Sequence, residues 1–386
     1  MGWMVTYDKL DNEQREFIDR EIQKSSNIWV QGFAGSGKSV MLVHALRKKL
    51  QEEPNCSPCI VVFTRSLVEL FQTGIKEIGL VRNIPVLTYH QFLRNNNRYD
   101  YIFCDEVQDL PKSVLQNLNQ RCNRLYVAGD SNQSIYESAP GTDEPVIDSD
   151  EIEPTINARP FILTRIYRLT KSIINAVQSI IPRMNIYQAK IDETRQDVQI
   201  RLIEAVSKEE EVKFIWEKAT EQTNNREMAV VLLPNHDSII EFAQSILRLN
   251  NKPEWQIKSN RYNNTDWIDL NNYFRNNQVS VEYLGSGAGS LINIERKRNM
   301  VLMTYHSAKG MDFDNVFLPY MSGDLYIKNS TLFMVAMTRS KKNLFISYSG
   351  YLHEYVEPFK SNCLRQSANS SRGNIESDNI EDFLDF

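Results

Sequence analysis

One stretch of the sequence has the residue types and the spacing of a phosphate-binding loop. It fits the pattern G-x-x-x-x-G-K-[ST] and reads Gly32-Phe33-Ala34-Gly35-Ser36-Gly37-Lys38-Ser39. Glycines let backbone N–H groups turn towards phosphate oxygens, and the N-terminus of a following helix adds partial positive charge. Lys38 would reach the β- and γ-phosphates, and Ser39 would bind Mg²⁺. The motif therefore predicts a site for ATP and Mg²⁺, in which the other contacts come from Gly32, Ala34, Gly35, Ser36 and Gly37.

A second motif supplies two adjacent carboxylates. Asp105 and Glu106 follow the apolar run 101–104, which is typical of a buried strand. Hydrolysis of a magnesium nucleotide requires such a pair. Asp105 would hold Mg²⁺ through water, and Glu106 would orient and deprotonate the attacking water. The alternative is a strand that merely ends in surface acids, and an intact phosphate loop in the same chain argues against it.

Short apolar runs alternate with helical patterns in the first part of the chain. The runs lie at residues 27–31, 59–63, 85–92, which leads into a short helix, 101–104 and 124–130. Repeated strand–helix units predict an α/β fold, with a mainly parallel sheet covered by helices on both faces. Ligands in such folds bind at the carboxyl ends of the strands, where both motifs fall.

A change in composition divides the chain into domains. Residues 137–160 are rich in acidic residues and proline, which predicts a linker. The linker would separate a first domain, 1–136, from a second α/β domain, 161–363. Within the second domain, residues 278–283 and 290–294 flank a glycine-rich turn and predict a hairpin.

The overall composition is that of a soluble protein. Of the 386 residues, 24% are charged and 41% are hydrophobic, and no apolar run reaches membrane-spanning length. Five cysteines are an odd, low count, which indicates a reducing cytoplasm rather than a disulfide scaffold. The net charge of −5 does not by itself indicate a nucleic-acid-binding protein. Because the acidic residues are concentrated in two segments, a local groove can still be positive.

Eight motif segments follow one another along the chain, at residues 32–39, 63–65, 88–92, 105–109, 129–136, 167–168, 304–313 and 335–341. In this order they resemble the motifs of superfamily 1 helicases of the UvrD/Rep type, over roughly residues 10 to 350. The resemblance implies two RecA-like P-loop NTPase domains, with the ATP site between them. It also implies a compact motor without accessory subdomains.

The resemblance assigns roles around the nucleotide. Gln14 would read the adenine edge, Tyr167 would stack on the adenine face, and Gln133 would sense the γ-phosphate. Gln14 lies at the start of a helical pattern for which Asp11 or Asn12 is a plausible N-cap.

Further nucleotide contacts are implied for the second domain. Arg168 and Arg339 would act as arginine fingers from that domain and stabilise transition-state charge. The alternative for each arginine is an ordinary surface salt bridge. Asp312 stands where the family has a glutamate in its fifth motif, and it is a further expected contact.

The resemblance also implies a channel for single-stranded DNA, with RNA not excluded. Aromatic faces accept any base, so binding would be largely independent of sequence. For Phe63 and Tyr89, the alternative is that they are core residues at strand ends. The expected contacts are Phe63, Thr64, Arg65, Tyr89, His90, Tyr136 and His306.

Two functions are open from the sequence. One is a Mg-ATP-dependent translocase or helicase on single-stranded DNA, with 3′-to-5′ polarity implied by the family. The other is an ATP-gated nucleic-acid-binding or sensor module that acts with a partner protein. The second is favoured by Ser138 and Ala139, which replace a tryptophan and an arginine that the family often has after Tyr136.

Residues 364–386 have the composition of a disordered acidic tail. Helical spacing would place Ile380, Phe383 and Leu384 on one face, which suits docking on a partner protein. The tail could instead fold back over the strand channel. The alternative to both is an inert, solubilising tail.

Overall fold

The fold is described from a computed structural model, which describes residues 3–130, 133–139, 143–184, 186 and 190–369. The chain forms two compact units, each of which is treated by itself. The first unit comprises Met1–Thr170, Met184–Arg195 and Gly285–Leu291. The second unit comprises Lys171–Arg183, Gln196–Leu284 and Ile292–Phe386.

The first unit is built on a six-stranded sheet in the order β3-β2-β4-β5-β1-β6, with every neighbouring pair parallel. Its strands are β1 Asn27–Gly32, β2 Pro58–Val62, β3 Val86–Thr88, β4 Tyr99–Cys104, β5 Cys122–Gly129 and β6 Ala158–Leu163. Its helices are α1 Asn12–Asp19, α2 Lys38–Glu52, α3 Arg65–Glu77, α4 Tyr89–Arg94, α5 Lys112–Gln120 and α6 Ser149–Ile156. The short strands β7 Arg165–Ile166 and β8 Lys190–Ile191 pair separately.

Strand β2 shows why this sheet is buried on both faces. Ile60 and Val62 belong to the core on one face, whereas Cys59 and Val61 belong to the core on the other. Successive side chains of a strand point to opposite faces, so a continuous apolar run feeds both cores.

The second unit has a seven-stranded sheet in the order β11-β12-β10-β13-β14-β9-β15, again with every pair parallel. Its strands are β9 Gln199–Ala205, β10 Ala229–Leu233, β11 Val281–Tyr283, β12 Met300–Thr304, β13 Phe313–Leu318, β14 Ser340–Ser349 and β15 Leu364–Ser367. Its helices are α7 Lys171–Ile180, α8 Lys208–Asn224, α9 His236–Leu249, α10 Trp267–Asn276, α11 Leu291–Lys297, which begins at the boundary, and α12 Ser330–Met337. The predicted α/β class with two mainly parallel sheets is confirmed.

The segment 137–160 is not simply a linker. It contains helix α6, which buries Ile152 and Ile156, and it runs into strand β6. Strand β6 pairs with β1 in the first sheet, so the placement of residues 161–163 in the second domain was wrong. The acidic composition hid this helix because its polar residues face solvent while two isoleucines cover the sheet. The first unit therefore extends to Thr170.

Two predictions in the second half of the chain are also corrected. No hairpin forms at 278–294, because β11 pairs in parallel with β12 and residues 291–297 are helical. The predicted tail begins with strand β15, which pairs with β9. The rest of that tail, from residue 370 onwards, lies outside the described residues. In the described part of the chain, no helix has both the length and the apolarity needed to cross a membrane.

Candidate nucleotide-binding site

The phosphate loop connects β1 to α2, as its sequence predicts. Gly35 and Gly37 have backbone φ angles of 76° and 84°, in the left-handed region that favours glycine. A Cβ atom on Gly35 would lie 2.4 Å from Cβ of Arg168. The loop therefore needs glycine at Gly35 for two reasons, its backbone conformation and the close approach of the chain at Arg168.

The polar side chains of the loop are suited to hold phosphate oxygens. Lys38 is buried at 8% exposure, and its Nζ donates to the carbonyl oxygens of Gly32 at 2.8 Å and Phe33 at 3.1 Å. The Ser36 hydroxyl is buried without a hydrogen-bond partner among the described residues. An unsatisfied buried donor is costly, and an anion bound in the loop would satisfy it. These groups fit the triphosphate that the motif predicts.

The residues predicted to bind Mg²⁺ lie together. Ser39 Oγ donates to Asp105 Oδ2 at 2.5 Å, across the gap between α2 and the end of β4. Burial of Asp105 raises the pKa of its carboxyl group, and the negative charge of Glu106 raises it further, against the opposing effects of Ser39 and Lys38. A hydroxyl and a carboxylate are oxygen ligands of the kind that Mg²⁺ prefers. Because Mg²⁺ usually keeps several waters and binds substrate phosphates, two protein ligands are sufficient.

Glu106 is held by a residue to which the sequence assigned no role. Glu106 has a φ of 55°, which is uncommon for a residue other than glycine. Gln108, which is fully buried, donates from Nε2 to Glu106 Oε2 at 2.6 Å and accepts at Oε1 from the Asp130 N–H at 3.2 Å. Asp130 Oδ2 in turn accepts from Gln133 Nε2 at 2.9 Å. A continuous chain of hydrogen bonds thus joins Glu106 to Gln133.

The residues expected to contact the base are attached to the phosphate loop. Asp11 and Gln14 form a capping box at the start of α1, and Gln14 Nε2 donates to the Ser36 carbonyl oxygen at 3.1 Å. The Tyr167 N–H donates to the Gly35 carbonyl oxygen at 2.8 Å, and the Tyr167 hydroxyl donates to Asp11 Oδ2. The structure therefore brings Gln14 and Tyr167 together in one unit. Their roles towards adenine stay a prediction.

The two expected arginine fingers belong to different units. Arg168 lies in the first unit, beside the phosphate loop, and not in the second domain where the sequence placed it. Strand β6 explains this, because it carries the chain along β1 and returns it to Gly35.

Arg339 lies in the second unit and is 1% exposed. Its guanidinium donates to the Val335 carbonyl oxygen at 2.8 Å and to Thr338 Oγ1 at 2.9 Å, and it lies 4.0 Å from Asp312. The contacts of Arg339 and Asp312 with a nucleotide stay predictions.

Four of the expected strand contacts form an aromatic cluster in the first unit. The ring centroids of Phe63 and Tyr89 are 5.5 Å apart, those of Phe63 and Tyr136 are 4.9 Å apart, and those of Tyr89 and His90 are 3.9 Å apart. Phe63 and Tyr89 are buried in a core, as the alternative interpretation of these two residues expects. His90 is exposed and Tyr136 is half-buried, so these two rings are the accessible part of the cluster.

The Tyr89 hydroxyl is an unusual feature of this cluster. It is buried, and no other described group accepts or donates a hydrogen bond to it. Burial raises the pKa of the Tyr89 hydroxyl to about 12. The group is therefore a neutral phenol at any physiological pH.

The remaining expected strand contacts are distributed between the units. Thr64 Oγ1 caps α3 by accepting from the Leu67 N–H at 3.3 Å, and the exposed Arg65 packs against Gly287. His306 lies in the second unit, where burial lowers its pKa to about 4. The structure thus places six of the seven residues in the first unit and leaves their contact with a strand as a prediction.

Two family models match parts of the chain. The viral superfamily 1 RNA helicase core domain matches residues 28–149, and the UvrD-like helicase C-terminal domain matches residues 288–351. The first match contains the phosphate loop and the carboxylate pair, and the second contains Arg339.

Individual proteins match over longer stretches. The ATP-dependent DNA helicase PcrA of Staphylococcus aureus and that of Staphylococcus epidermidis are each 25% identical to the chain over 221 residues. The match covers 53% of this chain but only 29% of each relative. Solved structures of the PRRSV helicase and of arterivirus nonstructural protein 10 (helicase) superpose with TM-scores of 0.45 and 0.39, both at 14% identity. They cover 87% and 86% of this chain, and 54% and 61% of their own chains.

Proposed function

Because the chain belongs to the superfamily 1 helicases, we propose that it hydrolyses Mg-ATP and uses the energy to move along single-stranded nucleic acid. We propose single-stranded DNA as the track and 3′-to-5′ as the direction. The observation that carries the hydrolysis is the 2.5 Å hydrogen bond between Ser39 and Asp105, with Glu106 next in the chain. A hydroxyl of the phosphate loop thus bonds a buried carboxylate, and the proposed base is the next residue in the chain.

The side chains have separate tasks in this proposal. Bound Mg-ATP would supply the phosphoanhydride bond, with the ion neutralising charge on the phosphates. Ser39 and Asp105 would hold the ion, and Lys38 would exchange its two loop carbonyls for phosphate oxygens. Glu106 would accept the proton of the attacking water. Its bond from Gln108 fixes the orientation of the carboxylate towards that water.

Further groups would respond to the γ-phosphate. Gln133 is connected to Glu106 through Asp130 and Gln108, so we expect a change in the position of one to alter the position of the other. The cations proposed to stabilise transition-state charge are Arg168 and Arg339. Arg168 is proposed because it lies next to Gly35, and Arg339 because of its position in the sequence motif. Asp312 is proposed as a further nucleotide contact through its position beside Arg339.

The strand side of the proposal depends on the aromatic cluster. Base stacking on an aromatic ring is worth about 1–3 kcal/mol per base and tolerates any sequence. Tyr136 and His90 are accessible for it, and Arg65 is exposed for a phosphate contact. The similarity to PcrA favours DNA, whereas the viral family model favours RNA, so both must be compared directly.

The first experiment measures ATP hydrolysis by the chain alone, with single-stranded DNA, and with RNA of the same sequence. We expect stimulation that is greater with DNA, and loss of all activity in the Lys38→Ala variant and on removal of Mg²⁺ with EDTA. Hydrolysis that survives Lys38→Ala, or that responds to neither strand, would contradict the proposal.

The second experiment measures strand displacement on duplexes with a single-stranded tail at either the 3′ or the 5′ end. A 3′-to-5′ motor requires the 3′ tail. If the strand stimulates hydrolysis but the protein unwinds neither duplex, the result would instead support the ATP-gated binding module.

A further inference from the structure

Asp11 makes a contact that helix capping does not require. Its Oδ1 accepts from the Gln14 N–H at 2.7 Å, which is the ordinary capping bond of α1. Its other oxygen, Oδ2, accepts from the hydroxyl of Tyr167, which is far away in the sequence. The two oxygens of one carboxylate thus join the start of α1 to the segment that follows β6.

Both partners of Asp11 are attached to adjacent peptides of the phosphate loop. Gln14 Nε2 donates to the Ser36 carbonyl oxygen at 3.1 Å, and the Tyr167 N–H donates to the Gly35 carbonyl oxygen at 2.8 Å. Tyr167 is therefore held at two points, its backbone at the loop and its hydroxyl at Asp11. Rotation about the Cα–Cβ bond would swing the ring away and break the hydrogen bond to a charged group, which is among the stronger kinds, so the two attachments fix the position of the ring.

We propose that Asp11 is a positioning residue for nucleotide binding, which fixes the Tyr167 ring as the platform on which the base of the nucleotide stacks. This role rests on the proposed function, since it concerns the same nucleotide site. A platform that is ordered before binding costs no side-chain entropy when the base arrives. Because a stacked ring recognises no base edge, Asp11 would act on purine nucleotides in general and on the base alone, not on the phosphates.

A second pair of hydrogen bonds, between Glu13 and Thr164, provides a control. It attaches the segment after β6 to α1 without involving the Tyr167 ring. Glu13 accepts at Oε2 from the Thr164 N–H at 2.8 Å and at Oε1 from Thr164 Oγ1 at 2.5 Å. Glu13 and Asp11 therefore bind the same segment to the same helix. Only Asp11 binds it through the ring of Tyr167.

The experiment compares equilibrium binding of Mg-ATP, Mg-GTP and magnesium tripolyphosphate to the full chain. The variants are Asp11→Asn, Tyr167→Phe, the double variant and, as a matched control, Glu13→Gln. Asparagine keeps the size of the side chain and one oxygen that can accept the capping bond from Gln14. Its second polar atom is an amide nitrogen, which cannot accept the hydrogen bond from the Tyr167 hydroxyl. Phenylalanine keeps the ring and removes only the hydroxyl.

We expect Asp11→Asn and Tyr167→Phe each to raise the Kd of both nucleotides about tenfold, as the loss of a charge-assisted hydrogen bond implies. The double variant should be no worse than either single one, because both remove the same bond. Glu13→Gln should stay within about twofold of the parent protein, and the Kd of tripolyphosphate should be unchanged in all four variants. In hydrolysis assays, KM should rise while kcat falls much less.

Three outcomes would overturn the role of Asp11. The first is that the variants lose as much affinity for tripolyphosphate as for the nucleotides. The second is that Glu13→Gln raises the nucleotide Kd as much as Asp11→Asn does. The third is that the effects of Asp11→Asn and Tyr167→Phe are additive in the double variant. A parent protein that binds ATP without hydrolysing it would contradict the proposed function instead. The Kd of each variant relative to that of the parent protein would still decide the role of Asp11. Thermal melting of each variant shows whether the unit is folded.

Discussion

Gln108 donates its side-chain amide to Glu106 Oε2 at 2.6 Å from a fully buried position. Its other end accepts the backbone N–H of Asp130 at 3.2 Å. The amide thus fixes the proposed base with respect to the end of β5. Turnover should therefore depend on Gln108 although Gln108 is not proposed to touch the nucleotide.

The Gln108→Leu variant tests this relationship. Leucine has a similar size but removes the hydrogen bond from Gln108 to Glu106, so we expect ATP turnover to fall about tenfold to a hundredfold with the Kd for ATP little changed. The Gln244→Leu variant is a control in the second unit, since the amide of Gln244 also donates one hydrogen bond and accepts another, both with the Trp255 backbone at 2.7 and 2.9 Å. It should lose stability but not turnover. Equal turnover in both variants would exclude a positioning role for Gln108.

Lys38 and Glu106 should differ in the step that they affect. Lys38→Ala removes the only lysine that reaches the carbonyls of the loop in the described structure, so ATP binding and turnover should both be lost. Glu106→Gln keeps the size of the side chain and removes the proton acceptor, so ATP should bind but not be cleaved. A filter-binding assay and a phosphate-release assay on the same preparations separate the two steps. Turnover at the parent rate in Glu106→Gln would show that another group is the base.

How far the sequence predicts the site depends on how local each feature is. The phosphate loop and the pair Asp105–Glu106 are contiguous motifs, and the structure places Ser39 against Asp105 as the motifs imply. The partner that Gln108 finds outside its own motif is Asp130, which follows the neighbouring strand β5. The distant partner of Asp11 is Tyr167, which lies after β6. Such contacts depend on sheet order, which the residues near Gln108 or Asp11 do not encode.

The wrong placement of residues 161–163 in the second domain also arises because sheet order is not encoded locally. Pro160 lies opposite Trp29 in the parallel pair of β1 and β6, although the two are distant in the sequence. Pro160 ends the segment 137–160, whose acidic and proline-rich composition is typical of linkers. A proline is tolerated there because β6 is an edge strand, where one side of the backbone needs no ladder partner.

The two arginines are expected to act on turnover rather than on nucleotide binding. Arg168→Lys and Arg339→Lys should each lower kcat about a thousandfold, because lysine does not reproduce the planar, bidentate contact of a guanidinium with phosphate. Lysine is chosen over alanine since Arg339 is buried and donates to Val335 and Thr338. Thermal melting must show that each variant is folded. Parent-like kcat in a folded variant would remove that arginine from the proposed set.

Tyr136 is the ring with which strand stacking can be tested. Tyr136→Ala should weaken single-strand binding about tenfold, whereas Tyr136→Phe should keep the affinity, since stacking needs the ring and not the hydroxyl. Tyr351, in the second unit and 91% exposed, provides a control for the loss of a surface ring. Fluorescence anisotropy at two salt concentrations measures the effect. Affinity that survives Tyr136→Ala would remove the aromatic cluster from the proposed strand site.

The edge strand β15 predicts that two truncations behave differently. Residues 364–367 pair with 201–204 of β9, and the Ala368 N–H donates to the Glu204 carbonyl oxygen at 2.9 Å. A chain that ends at residue 369 keeps all of these bonds and should therefore keep the stability that β15 adds. A chain that ends at residue 363 exposes the edge of β9. It should melt about 2–6 °C lower, from the loss of a few exposed hydrogen bonds, and it should associate at high concentration. Calorimetry and light scattering on the two truncated proteins measure these effects. Equal melting temperatures and equal association would show that β15 does not protect this edge.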